Sequence, residues 1–332
     1  MCRMLYLVLR ITLSGSGKFL ELPFFDWDSQ CAVNMLCYIC VCEGEYVMEI
    51  NTSLVQSLIR DQFSEWQDLE IKPVAKSGHD NRTFHLGDDM AVRLPSGADY
   101  AAQVAKENKW LPYLQDHLAY PISKPLAAGE PTAYYPYPWS INRWIKADVL
   151  RDDDQADRMS LAKELREALE ALQCIPCEGG PAAGKHNFYR GGDLKIYHNE
   201  TQDALTELTQ ELPVDRLAAI WQDCIATTYA KTPVWVHGDV APGNILMKDH
   251  HFYGLIDFGI LGIGDPACDY AMAWTYFHVA ERALFLQDLD QDMIARARGW
   301  ALWKALITYH DRDDAVRQNA HETIQAILEE TN

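Results

Sequence analysis

The pattern of apolar and polar positions predicts a β-rich first half after residue 68. Apolar and β-branched runs bounded by turn residues predict short strands at 69–76, 82–86 and 90–94, and an apolar strand at 139–145. Between them, apolar side chains recur at steps of three and four over 98–118, which predicts a helix. The buried stripe of this helix comprises Tyr100, Val104, Glu107, Leu111, Leu114 and Leu118.

One carboxylate falls within that apolar stripe. Glu107 would lose its hydration on the buried face, and desolvating a charge costs several kcal/mol unless a partner compensates. The nearest upstream candidate is Arg93, at the end of the third strand. The alternative is that Glu107 sits at the edge of the stripe and reaches water, and the sequence leaves both possibilities open.

From Lys146 onward the pattern becomes mostly helical and acidic, and strands return only around 234–258. The expected fold class is therefore α+β, with a small β-rich lobe at 48–145 that carries one helix and a larger, mainly helical lobe at 146–332. Residues 1–47 differ in composition and have no clear cleavage site after their first apolar run. We expect them to be an appendage of unknown role and the natural chain to begin at Met48.

Composition narrows the possible functions. With 48% hydrophobic and 23% charged residues, the 332-residue chain is expected to be globular. Its net charge of −19 argues against a nucleic acid or an anionic membrane surface as a partner. The same charge would attract a small cationic substrate, although simple solubility is the favoured explanation of the charge taken alone.

The nine cysteines do not form a recognisable framework. Cys37, Cys40 and Cys42 have no second Cys/His pair at a zinc-like spacing, and the Cys174–Cys177 motif lies in a helical region. Reduced structural thiols are the favoured interpretation, and they indicate a reducing cytoplasm.

The stretch "VWVHGDVAPGNILM", residues 234–247, concentrates the candidate chemistry. An apolar strand ends at His237, and Pro242 and Gly243 keep the following residues in a loop that carries Asp239. The next residues predict a hairpin with its turn at 250–251, pairing 245 with 256 and 247 with 254. That register would set Asn244 opposite Asp257, one loop away from Asp239.

Oxygen ligands of this kind suit Mg²⁺, which binds one or two protein ligands together with waters and substrate phosphates. A further carboxylate, Asp239, could orient a substrate hydroxyl and accept its proton. Singly, each residue has an ordinary structural explanation: Asp239 as a turn former, Asn244 as a cap and Asp257 in an Asx-turn. Together they outline a phosphoryl-transfer site.

The segments "HGDVAPGNIL", "LIDFG" and "GDPACDYA" resemble the aminoglycoside phosphotransferase family, whose bilobal fold is similar to that of protein kinases. The resemblance covers about residues 65–310. It implies that Asp239 is the catalytic aspartate and that Asn244 and Asp257 hold Mg²⁺. It also gives Arg93 and Glu107 the places of the phosphate-binding lysine and its glutamate partner.

The same resemblance implies further positions and shows two departures. Asp269 is expected to hydrogen-bond the backbone of the catalytic loop near His237, and both residues are expected to support that loop. The phosphate-contacting cation is an arginine, which keeps a permanent charge and a bidentate fork. Only "SGHDNRT" stands where the family has a glycine-rich loop, so nucleotide contacts there are expected from Ser77 and Gly78 alone.

The resemblance implies ATP and Mg²⁺ as cofactors and a small hydroxyl-bearing acceptor, with the backbone around 143–145 receiving the adenine. Acidic stretches at 152–157 and 281–292 could serve a cationic acceptor, and the Gly-rich loop at 186–194 offers further contacts. Two alternatives remain. One is a non-catalytic nucleotide-binding module that acts through a partner, and the other is a protein kinase, which the short distance between "IDFG" and "GDPACDYA" disfavours.

Overall fold

The computed structural model describes residues 11–12, 19–20, 49–75, 78, 80–151 and 157–330. The expected start at Met48, the Cys37–Cys42 segment and Ser77 lie outside these residues. The chain divides into two units, Met1–Glu49 and Ile50–Asn332. In the first unit, strand β1 (Ile11–Thr12) pairs antiparallel with β2 (Phe19–Leu20).

The second unit opens with helix α1 (Thr52–Gln62), which begins where the Asn51 side chain accepts the Leu54 N–H. A five-stranded antiparallel sheet follows, in the order β3-β4-β5-β7-β6. Its strands are β3 (Ile71–Pro73), β4 (Asn81–Leu86), β5 (Met90–Pro95), β6 (Pro125–Gly129) and β7 (Trp139–Arg143). Helix α2 (Ala98–Gln115) joins β5 to β6.

Most elements predicted for this sheet are present, with two differences. The strand predicted at 69–76 is only three residues long, although Val74 N–H still donates to the Thr83 carbonyl oxygen of β4 at 3.2 Å. Strand β6 was not predicted, because its sequence, "PLAAG", carries neither β-branched residues nor alternation. Gly129 of that strand lies against the fully buried ring of Trp139, where a Cβ atom would stand 1.9 Å from the ring.

The rest of the unit is mainly helical, as predicted. Its strands are β8 (Asp148–Val149), β9 (Val234–Val236), β10 (Ile245–Lys248), β11 (His251–Leu255) and β12 (Gly262–Gly264). Its helices are α3 (Arg158–Gln173), α4 (His198–Glu207), α5 (Val214–Cys224), α6 (Met272–Thr275), α7 (Val279–Phe285), α8 (Gln291–Ile307) and α9 (Asp314–Glu330). The α+β fold class with a β-rich first part and a helical second part is therefore confirmed.

The hairpin of β10 and β11 differs from its predicted register. Ile245 pairs with Leu255 and Met247 with Phe252, and the register shifts between Leu246 and Met247. The turn lies at Asp249 and His250, whose φ angles of 52° and 69° are those of a tight two-residue hairpin turn. The prediction was wrong because it placed the turn one residue later and contained no bulge.

A large apolar core anchors the strand that leads to the predicted loop. Trp235 and Val236 of β9 are buried, at 0% and 1% exposure, and the Trp110 ring of α2 contacts Trp235 edge-on at 5.0 Å between centroids. The end of β9, and hence the start of the loop, is therefore held both by the apolar core and by helix α2. Over the described ranges, no helix is long and apolar enough to cross a membrane.

Candidate active site

The loop after β9 is held by one buried carboxylate. Asp269, fully buried in the 3₁₀ turn Pro266–Tyr270, accepts the backbone N–H groups of His237 at 2.8 Å and Gly238 at 2.7 Å. The same turn is capped at its start by Asp265, whose side chain accepts the Ala267 N–H. Asp269 therefore contacts the loop backbone in the way that the resemblance implied.

His237 ties the loop to the strand that precedes Asp257. Its Nδ1 accepts the Asp239 N–H at 3.1 Å and its Nε2 lies 3.0 Å from the Ile256 carbonyl oxygen. The two bonds assign the proton to Nε2, because the carbonyl can only accept. The imidazole is thus a neutral spacer between Asp239 and the end of β11, and it has no free nitrogen for a substrate.

Asn244 lies beside Asp239 at the end of the 3₁₀ turn Pro242–Asn244. Its Nδ2 donates to the Asp239 carbonyl oxygen and to Asp239 Oδ2, each at 2.9 Å. Because the amide nitrogen is used in this way, the amide oxygen of Asn244 is the atom that can serve a cation.

Arg93 links the sheet, helix α2 and Asp257. Its Nη1 lies 2.7 Å from Glu107 Oε1 and its Nη2 lies 2.8 Å from Asp257 Oδ1. Arg93 and Glu107 are 8% and 3% exposed, so the alternative in which Glu107 reaches water is excluded. Asp257 itself has a φ angle of 63°, a conformation that an aspartate tolerates better than most residues.

Burial or neighbouring charges raise the pKa values of four groups of this site. Burial alone would lower the pKa of Arg93, but the carboxylates of Glu107 and Asp257 outweigh it and raise that pKa. Burial raises the pKa of Glu107 and of Asp269. The pKa of Asp239 is also raised, first by desolvation and further by the charge of Asp257, although water at its exposed side chain screens the effect.

A cleft of about 380 Å³ lies between the sheet and the β10–β11 hairpin. Arg93, Asn244, Asp257 and Gly78 all contribute to its walls, while a smaller cavity of about 170 Å³ is lined by Asp239 and Asp257 together. Thus Gly78 faces the cleft where nucleotide contacts were expected.

The oxygen donors fit a hard divalent cation. Asp257 keeps Oδ2 outside its ion pair with Arg93, and the amide oxygen of Asn244 lines the same cleft. Two protein ligands completed by water and phosphate oxygens are the arrangement that Mg²⁺ prefers. Among the described residues there is no group of three His, Cys, Asp or Glu side chains that could enclose a metal by itself.

Sequence reasoning missed two cations beside the loop. Arg190 donates from Nε to the Gly238 carbonyl oxygen at 3.0 Å, and its guanidinium lies 4.8 Å from the centre of the Trp300 ring. Lys304, one turn after Trp300 on α8, has its pKa lowered by burial and by the charge of Arg190. The only sequence signal was the Gly-rich loop at 186–194, which contains Arg190.

Two carboxylates of the acidic stretches expected to meet a cationic acceptor form ion pairs within the chain. Residues 152–156 lie outside the described residues. In the second stretch, Asp288 pairs with Arg166 at 3.3 Å and Asp290 with Lys231 at 2.5 Å. These two carboxylates therefore neutralise cations of the chain itself.

Solved structures with the same fold extend over almost the whole second unit. The GDP complex of wild-type aminoglycoside 2'-phosphotransferase-IIIa matches 85% of this chain and 100% of its own, with a TM-score of 0.67 and 20% identity. The streptomycin-ATP-APH(2")-IIa ternary complex matches 83% and 97%, with a TM-score of 0.55 and 16% identity. The macrolide 2'-phosphotransferase MphH from Brachybacterium faecium matches 82% and 96%, with a TM-score of 0.55 and 16% identity.

At these identities, the similarity shows the fold. No curated protein matches the sequence. The sequence model of the phosphotransferase enzyme family, APH, matches residues 70–306. Because this match spans well over half of the 332 residues, the chain belongs to the APH phosphotransferase family.

Proposed function

We propose that the protein is an ATP- and Mg²⁺-dependent phosphotransferase that acts on a hydroxyl group of a small molecule. One observation carries this proposal. Arg93, Asn244 and Asp257 line one cleft, and Asp257 also lines a smaller cavity together with Asp239. A family phosphotransferase needs a base, a metal site and a phosphate-binding cation at one place.

Asp239 is the proposed base. Asp239 lines the smaller cavity, and Asn244 Nδ2 donates to its Oδ2. The other oxygen can accept the proton of an acceptor hydroxyl and orient that hydroxyl towards the donor phosphate. Asp269 and His237 act through the backbone, because they hold the loop on which Asp239 stands.

Arg93 is the proposed partner of the donor phosphates. Glu107 pairs with Nη1 of its guanidinium. Nη2, which contacts Asp257, is the group proposed to face the phosphates in the cleft. Asn244 and Asp257 would hold Mg²⁺, which when bound neutralises charge on the phosphates. Ser77 and Gly78, which precede strand β4 in the sequence, are proposed to add contacts with the donor nucleotide.

The acceptor is proposed to be a small hydroxyl-bearing molecule, with a cationic one included among the candidates. Structures with the same fold carry names that refer to aminoglycosides and a macrolide. Aminoglycosides and macrolides are therefore the first acceptors to test, together with amino alcohols and sugars. A reducing cytoplasm, proposed from the thiols, remains the expected location.

The test is ADP release by the purified protein with ATP, with and without Mg²⁺, against that panel of acceptors. The matched pair of variants is Asp239→Asn and Asp249→Asn, since Asp249 is an exposed turn residue of the neighbouring hairpin. We expect an acceptor-dependent rate that requires Mg²⁺ and survives only in the second variant. Bound ATP without any turnover would instead favour the non-catalytic module.

A further inference from the structure

Two buried polar side chains line the cleft between the sheet and the β10–β11 hairpin. Asn142 is 1% exposed and Ser123 is 8% exposed, and both line the cleft of about 380 Å³. Neither Asn142 Oδ1 nor Ser123 Oγ has a hydrogen-bond partner among the described residues. Buried polar atoms are normally paired, so two unpaired atoms on one wall indicate that a ligand completes them.

The orientation of the Asn142 amide is determined by its one contact. Nδ2 donates to the Ser123 carbonyl oxygen at 3.0 Å. The reverse orientation would place the amide oxygen against a carbonyl oxygen, where neither atom can donate. Oδ1 is therefore the atom left for a ligand, and it can only accept a hydrogen bond. The Ser123 hydroxyl, in contrast, can rotate to donate or to accept.

The walls next to Asn142 form an apolar slot. Ala91 lies directly across from Asn142 in the β5–β7 register, and Leu246 and Ile256 of the hairpin region line the same cleft. Trp144 and Ile145, from the connector after β7, also line it. A flat aromatic ring fits between such walls, with its edge directed at Asn142.

We propose that Asn142, with Ser123 beside it, selects a 6-amino purine over a 6-oxo purine as the base of the donor nucleotide. This inference rests on the proposed use of the cleft for a nucleotide. An adenine 6-amino group donates a hydrogen bond and satisfies Asn142 Oδ1. The 6-oxo group of guanine or hypoxanthine would bring a second acceptor to that atom and leave both unpaired.

Leaving a buried acceptor unpaired reduces binding by about tenfold to a hundredfold. The measurement is the Kd of ATP, ITP and purine riboside triphosphate by isothermal titration calorimetry, each with Mg²⁺. ITP carries a 6-oxo group and purine riboside triphosphate has no 6-substituent. We expect ATP to bind most tightly, ITP weakest and the unsubstituted purine between them.

Two variants locate the effect. Asn142→Leu keeps the side-chain size and removes the acceptor, so the ratio of the ITP and ATP Kd values should fall to within about threefold of one. Ser140→Ala is the matched control, since Ser140 is a buried polar residue of the same strand that does not line the cleft. It should keep the wild-type ratio.

The wild-type ratio alone can overturn the inference, whether or not Asn142→Leu folds. Equal binding of ATP and ITP would refute base selection while leaving the phosphotransferase proposal intact. An unchanged ratio in a folded Asn142→Leu protein would assign the selection to another group. Absence of binding by every nucleotide would refute both the inference and the proposed function.

Discussion

The buried pair of Arg93 and Glu107 permits a quantitative test. Their side chains are 10% and 4% exposed and the charged atoms are 2.7 Å apart. Removing one partner of a buried pair leaves an uncompensated charge and costs about 3–5 kcal/mol. Arg93 keeps its contact with Asp257 at 2.8 Å, and the Asp257 side chain is 39% exposed. We therefore expect Glu107→Leu to lower the free energy of unfolding by about 3 kcal/mol, the lower end of that range.

The assay is urea denaturation followed by far-UV circular dichroism, with the slope of the transition compared between variants. Glu167→Gln is the control, because Glu167 pairs with Lys163 at 3.9 Å on an exposed helix face. Its change should stay within about 0.5 kcal/mol, as for other surface pairs.

The double variant Arg93→Met/Glu107→Leu separates folding from function. Apolar residues of similar size should restore most of the stability, since a buried ion pair gains little over good apolar packing. They should not restore ATP affinity, because the cation proposed to bind the donor phosphates is gone. A single variant as stable as the wild type, or a double variant no more stable than the single one, would refute the reasoning.

Three further predictions concern the loop and the thiols. Gly238 has a φ angle of 86°, and a Cβ there would stand 2.7 Å from the Ile260 carbonyl oxygen, so Gly238→Ala should cut turnover by at least about tenfold. Gly97→Ala, where a Cβ meets none of the described residues within 4 Å, should keep wild-type turnover. Arg190→Met removes the hydrogen bond to the Gly238 carbonyl oxygen and should lower kcat about tenfold while leaving the Kd of ATP unchanged. A changed Kd with an unchanged kcat would contradict the role of Arg190 in positioning the loop. Burial raises the pKa of Cys224 to about 12, so iodoacetamide at neutral pH should label the exposed Cys174 and reach Cys224 only after unfolding, as peptide mass mapping would show.

Much of the site was predictable because its signals are local. The spacing of Asp239, Asn244 and Asp257 lies within one strand, loop and hairpin, and the charge of Glu107 in an apolar stripe required a partner nearby. Residues that act across long separations gave weaker signals. Arg190 reaches Gly238 from 48 positions away, and only its place in a Gly-rich loop drew attention to it.

Elements of the fold were predictable where apolar and polar side chains repeat with the period of a strand or a helix. Strand β5 and helix α2 have clear patterns, whereas β6 is built from small residues whose place depends on packing against Trp139. The hairpin register failed for a different reason. Positive φ angles at Asp249 and His250 and the adjacent bulge depend on backbone geometry that alternation alone does not encode.

The most direct test of the central claim compares ATP binding with turnover in Asp239→Asn, using the acceptor that the panel identifies. A positioned base contributes about a hundredfold or more to the rate and little to nucleotide affinity. We expect kcat to fall by at least about that factor while the calorimetric Kd of ATP stays within about twofold of the wild-type value. Turnover equal to that of Asp249→Asn would contradict the claim that Asp239 is the base of a phosphotransferase.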